Sequence, residues 1–169
     1  GLGASGSTPG RILVLLDVSG SMGTIQPDGL PLIDSVRNTA LIAMSSLYDH
    51  TSVGVWLYGT DIDGTADYRE LVPITSLGSG RNRIINAVKT IEVAPGSQGS
   101  LYDTVLAGYQ ALQSDFDPAA AQSLVVFTNT SRDSTSGMSV PSLISRLKAE
   151  SDPAKHIRVM GVGFGEHAD

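Results

Sequence analysis

The chain has 169 residues, 41% hydrophobic and 17% charged, which suits one globular α/β domain able to bury a core. Its net charge of −6, with no basic run, argues against nucleic acid or an anionic membrane surface as a partner. Cysteine is absent, so disulfides, thiolate zinc sites and thiol nucleophiles are excluded, although the compartment stays open.

Residues 1–9, GLGASGSTP, read as a flexible linker or a remnant ahead of the fold. Ile12–Leu16 is an unbroken apolar run, as expected of a central parallel strand covered on both faces. Val36, Ala40, Ala43 and Leu47 recur at helical spacing. Val53–Tyr58 reads as a second strand, with Trp56 and Tyr58 expected to pack on opposite faces. Residues 69–74 read as an edge strand, because Pro73 cannot donate to a ladder. Ile84, Val88 and Ile91 mark a helix, and Leu101, Val105, Gly108 and Leu112 another. Ser123–Thr128 is a buried strand, Val140, Leu143, Ile144 and Leu147 an amphipathic helix, and Ile157–Val162 the last strand. Pro141 suits that helix's first turn. No apolar stretch approaches the ~18 residues of a membrane span, and no signal-like segment opens the chain.

Strands alternating with helices predict a three-layer α/β/α Rossmann-like sandwich: a mostly parallel central sheet with one antiparallel edge strand. Ligands in such sheets gather at the carboxyl ends of the strands. The residues just past those ends are Asp17, Ser19 and Ser21; Asp61 and Asp63; Asn129, Thr130, Ser131 and Asp133; and Gly163, Gly165 and Glu166. This rim is rich in oxygen and poor in nitrogen, which suits a hard cation such as Mg²⁺, Mn²⁺ or Ca²⁺. Asp17, Ser19 and Ser21 alternate just past the first strand, so a tight loop can turn all three toward one point. One carboxylate and two neutral hydroxyls leave a dication undercharged, and such an ion seeks an anionic oxygen from a partner.

Here the chain resembles a known family. "DVSGSM" at 17–22 fits the Asp-x-Ser-x-Ser signature of the von Willebrand factor A domain. "GSLYDTVLAGY" at 99–109 and "VVFTN" at 125–129 fall where that domain places them, so the likeness covers residues 10–169. "YGTDIDGTADYRELVPI" and "APGSQGSLYDT" further resemble bacterial proteins in which the domain follows an extracellular solute-binding module. The resemblance implies a metal-ion-dependent adhesion site and a non-catalytic module at a cell surface or outside the cell. Its partner is then a protein or peptide presenting a carboxylate. It also implies a helix after the last strand, whose absence by Asp169 predicts a less well covered sheet face.

The family's site draws on three loops, and this sequence departs from it in two. Asp17, Ser19 and Ser21 match the first. The second normally supplies a threonine four residues before the aspartate of "LYD". Here that position is Gly99, with Ser100 adjacent as the substitute. The third normally supplies an aspartate, and here it is Asn129, which can hold a metal-bound water but brings no charge. The implied metal set is therefore Asp17, Ser19, Ser21, Ser100 and Asn129, with weaker metal binding than the family's norm. The alternative is a domain that binds protein without metal.

Other readings of these residues are blander. Asp17, Ser19 and Ser21 could form an ordinary turn. Asp61, Asp63 and Asp67 suggest a calcium loop, but an EF-hand needs Gly and Glu where Ala66 and Val72 stand, so a solvated loop is expected. Asp103 suits a helix's positive end. His50, His156 and His167 lack metal-ligand spacing. A phosphatase-like enzyme could use Asp17 as a nucleophile, but the acid/base expected two residues later is Ser19. No Gly-x-Ser-x-Gly elbow or P-loop is present, so no enzymatic activity is expected.

Overall fold

The structure is a computed structural model and describes residues 8–129 and 140–164. Five strands form one sheet: β1 (Gly10–Asp17), β2 (Ser52–Asp63), β3 (Ala66–Ser76), β4 (Ala121–Asn129) and β5 (Ile157–Phe164). Their order is β3-β2-β1-β4-β5, and every neighbouring pair is parallel except β2 with β3. The Ile12–Leu16 run lies in the central strand, flanked on both sides, which is why it needs no polar alternation. Pro73 lies in the outermost strand and points its missing donor at no ladder that needs it.

The period-two alternation of β1 divides the core. Ile12 and Leu16 face α1 (Leu32–Ser45) and α2 (Leu77–Lys89), packing with Val36, Met44, Ile84 and Val88. Leu13 and Leu15 face α3 (Leu101–Ser114) and α4 (Val140–Glu150), packing with Val105, Tyr109, Leu112 and Leu143. The sandwich expected from the alternating pattern is therefore the one observed. Gly108 lets α3 sit close to the sheet: a Cβ there would lie 3.0 Å from Leu124 Cδ1 and 3.3 Å from Leu15 Cδ1.

Two local expectations are corrected. Trp56 and Tyr58 share a face, both packing in the Leu13–Leu15 cluster, because residues two apart in a strand point the same way. The second strand also runs on past Tyr58 to Asp63, and β3 starts at Ala66, ahead of residue 69. A two-residue turn with Gly64 at φ 63° closes this longer hairpin. Polar residues fill the extension because it projects beyond the core.

The sheet face beside α1 bears an apolar groove of about 280 Å³ among the described residues, lined in part by Val14, Val125, Met160 and Val162. No helix among the described residues is long and apolar enough to cross a membrane.

Candidate functional site

β1 ends at Asp17, and the chain turns at once into a short 3-10 helix, Gly20–Gly23. Ser19 N–H donates to Asp17 Oδ1 at 2.8 Å, and Met22 N–H to the Ser19 carbonyl at 2.9 Å. This tight turn brings the hydroxyls of Ser19 and Ser21 to 3.2 Å from one another, beside the Asp17 carboxylate. The first-loop residues named from the sequence therefore converge.

Asp17 is only 4% exposed. Burial pushes its carboxyl up from the ordinary range, against hydrogen bonds from the Ser19 hydroxyl and from the backbone N–H groups of Ser19 and Asn129, which favour the charged form. Among the described residues no Lys, Arg or His forms an ion pair with it. A buried carboxylate without a cation is the kind of group that a bound metal ion compensates.

The second loop is tied to the first by its backbone. Ala94 N–H donates to the Val18 carbonyl at 2.8 Å and Gly20 N–H to the Ser97 carbonyl at 2.8 Å. The approach is close enough that a Cβ at Gly20 would lie 3.3 Å from both Gly96 N and Ser97 O. Ser97 in turn donates its hydroxyl to the Thr60 carbonyl at 2.8 Å, and Gln98 N–H bonds Thr60 Oγ1 at 2.8 Å. Thr60 and Ser97 thus set the loop's position, and nothing in their local sequence distinguishes them from ordinary loop residues.

Ser100, the substitute for the missing threonine, is buried, and its hydroxyl donates to the Asp67 carbonyl at 3.1 Å, with Thr104 Oγ1 at 3.4 Å. Its hydrogen bonds run to the hairpin and to its own helix, whereas those of Ser19 and Ser21 stay within the first loop. Asn129 ends β4, is 3% exposed, and donates its backbone N–H to Asp17. Asp61 and Asp63 lie on the projecting hairpin arm, where Asp61 N–H donates to Asp67 Oδ1 at 3.0 Å. Asp103 sits exposed in the first turn of α3, as its helix-dipole reading expects. Thr130, Ser131, Asp133, Gly165 and Glu166 lie outside the described residues.

Tyr58 went unnoticed as a site residue. It is fully buried, pairs in register with Asp17 and donates its hydroxyl to the Phe127 carbonyl at 2.9 Å. Burial, and then the Asp17 charge, push its phenol well above the usual tyrosine range, against a hydrogen bond from Thr128. Its place at the end of the apolar run Val53–Tyr58, which pairs level with Asp17, was the available signal.

Residues 12–169 match the von Willebrand factor type A domain family. The chain belongs to that family. The von Willebrand factor type A fold is also seen in solved structures. A pilus adhesin, SpaC, from Lactobacillus rhamnosus GG is 20% identical with a TM-score of 0.60, covering 73% of this chain and 16% of the adhesin. PilB minor pilin from Streptococcus sanguinis is 22% identical with a TM-score of 0.55, covering 70% of this chain and 30% of the pilin. Proximal thread matrix protein 1 from the mussel byssus is 12% identical with a TM-score of 0.61, covering 92% of this chain and 35% of its own. At these identities the likeness is one of fold, and the von Willebrand factor type A chain spans about a third or less of each protein. No curated protein sequence matches it.

Proposed function

We propose that this domain is a non-catalytic adhesion or interaction module. It engages a protein or peptide through a reduced metal-ion-dependent adhesion site built on Asp17, Ser19 and Ser21, with Ser100 and Asn129 in supporting places. One observation carries the reading: among the described residues Asp17 is buried with no cation paired to it, beside two hydroxyls 3.2 Å apart. That donor set fits Mg²⁺, Mn²⁺ or Ca²⁺, which prefer oxygen ligands. Asp17, Ser19 and Ser21 would hold the ion, and Asn129 would orient water on it. A dication with one carboxylate retains positive charge, so an external Asp or Glu side chain completes its shell. Metal and ligand then bind with positive coupling, each raising the other's affinity by the same factor. The likeness in fold to pilus proteins, together with the sequence resemblance to bacterial proteins in which the domain follows an extracellular solute-binding module, supports a place at a bacterial cell surface.

A second reading has its own support. Ser100 directs its hydroxyl at the Asp67 carbonyl, and neither Gly99 nor Asn129 brings an acid; on this reading the domain lacks a working ion site and binds protein through its surface alone. Thermal unfolding in millimolar Mg²⁺, Mn²⁺ or Ca²⁺ against chelator separates the two. An ion at ~100 times its dissociation constant adds about 2.7 kcal/mol of stability. The shift should vanish in Asp17→Ala. An unchanged melting temperature in all three metals supports the metal-free reading.

A further inference from the structure

Both α1 and α2 pack on one face of the sheet, while α3 and α4 take the other. On that second face α3 reaches β2 only along its inner edge, and no helix among the described residues covers β3. There, between the sheet and the C-terminal end of α3, lies a cleft of about 540 Å³. Gly10, Arg11 and Ser52, at the starts of their strands, line it, so it sits at the end of the sheet opposite Asp17, about 20 Å along β1.

Its lining combines apolar surface from Leu13, Trp56 and Ile74 with carboxylates from Glu70, Asp115 and Asp117. Arg11 is the one cation in the lining, and it is engaged: Nη2 donates to Asp115 Oδ2 at 2.6 Å and Nη1 to Gln122 Oε1 at 2.9 Å. Glu70 and Asp117 form no ion pair among the described residues, and Glu70 faces Trp56 across the ladder. Asp115 is the C-cap of α3, whose last turn has no basic residue. Carboxylates at the negative end of a helix dipole are unfavourable for the fold itself, so the cleft carries more negative charge than its own packing calls for. Trp56 stacks on Tyr68, with ring centroids 5.0 Å apart and planes 7° from parallel, which holds the indole in place.

We propose that this cleft binds a basic side chain of a partner peptide, a Lys ammonium or Arg guanidinium seated against Trp56 and paired by Glu70 and Asp117. An indole face attracts a cation, and the carboxylates supply the complementary charge. Pro9 lines the cleft, and residues 1–8 ahead of it in the sequence contain no Lys, Arg or His, so that segment offers no such side chain. The site is independent of the metal reading, since none of its residues belongs to the Asp17 loop.

Trp56 is the chain's only tryptophan, so its fluorescence reports on the cleft directly. The test titrates the protein, in chelator, with capped tetralysine and with capped tetraglutamine as the uncharged control. Tetralysine should produce a saturable change and tetraglutamine none. Glu70→Gln and Asp117→Asn, both at exposed positions, should each weaken tetralysine binding at least fivefold. Asp61→Asn, at the far end of the sheet, should weaken it less than twofold. The proposal is overturned by no saturable change with tetralysine, by an equal response to tetraglutamine, or by equal weakening in Asp61→Asn, which would mean general attraction to an acidic protein. A fluorescence change with protein concentration alone would assign the cleft to a second copy and overturn it too.

Discussion

The Tyr58 hydroxyl on β2 reaches across β1 to donate to the Phe127 carbonyl on β4, at 2.9 Å. The strand it bridges ends in Asp17, so one buried phenol ties β2 to β1 and β4, the two strands that carry the first and third loops of the site. Removing that hydroxyl by Tyr58→Phe should cost about 1 kcal/mol, the net worth of one such bond. Chemical denaturation should show it, and the metal-induced rise in melting temperature should shrink in the same variant. A variant as stable and as metal-responsive as the parent would mean the bridge is incidental.

Restoring the missing acid tests how the ion site is balanced. Asn129→Asp places a second carboxylate at a position 3% exposed, next to the buried Asp17. In chelator it should destabilise the fold by at least about 1 kcal/mol, from desolvation and like-charge repulsion. In Mg²⁺ or Mn²⁺ the loss should be reversed, and with Gly99→Thr added the metal affinity should exceed the parent's by isothermal titration. Loss of stability that metal does not recover would indicate that the loop no longer gathers around an ion.

Close packing of α3 on the sheet depends on Gly108. With Leu124 and Leu15 methyls 3.0 and 3.3 Å from a Cβ there, Gly108→Val adds methyls that have no space. The expected loss is about 1–3 kcal/mol, measured by denaturant midpoint at unchanged slope.

The contact between α3 and α4 should depend on acidity. Hydrogen bonds from Gln110, and then from Arg146, hold the half-buried Glu150 carboxyl below its usual range. A carboxyl lowered on folding contributes stability above its unfolded value and loses it as pH falls through the folded one. The contribution is therefore complete near neutrality and fades in the acid range below the usual glutamate value. In an NMR titration, Gln110→Ala should move Glu150 back up toward that value. No movement would leave the Gln110 bonds without influence on the charge.

Much of this architecture was legible in the chain. Five apolar residues before Asp17 can only be satisfied by cover on both faces, so they announced a central strand, and Pro73 announced an edge because a missing N–H is harmless only there. Asp17, Ser19 and Ser21 were legible because their convergence is made by a turn within five residues, a distance over which covalent geometry leaves few choices. The tertiary structure decided what depends on distant partners. Ser100 turns to a carbonyl 33 residues away, Tyr58 to one 69 away, and Thr60 and Ser97 meet across 37. The acidic cleft beside Trp56 joins the start of β1, the end of β3 and the end of α3, segments that no local pattern relates. Periodicity records which side of an element is buried; which hydroxyl meets which carbonyl is settled only when the sheet aligns its strands and the loops close over their ends.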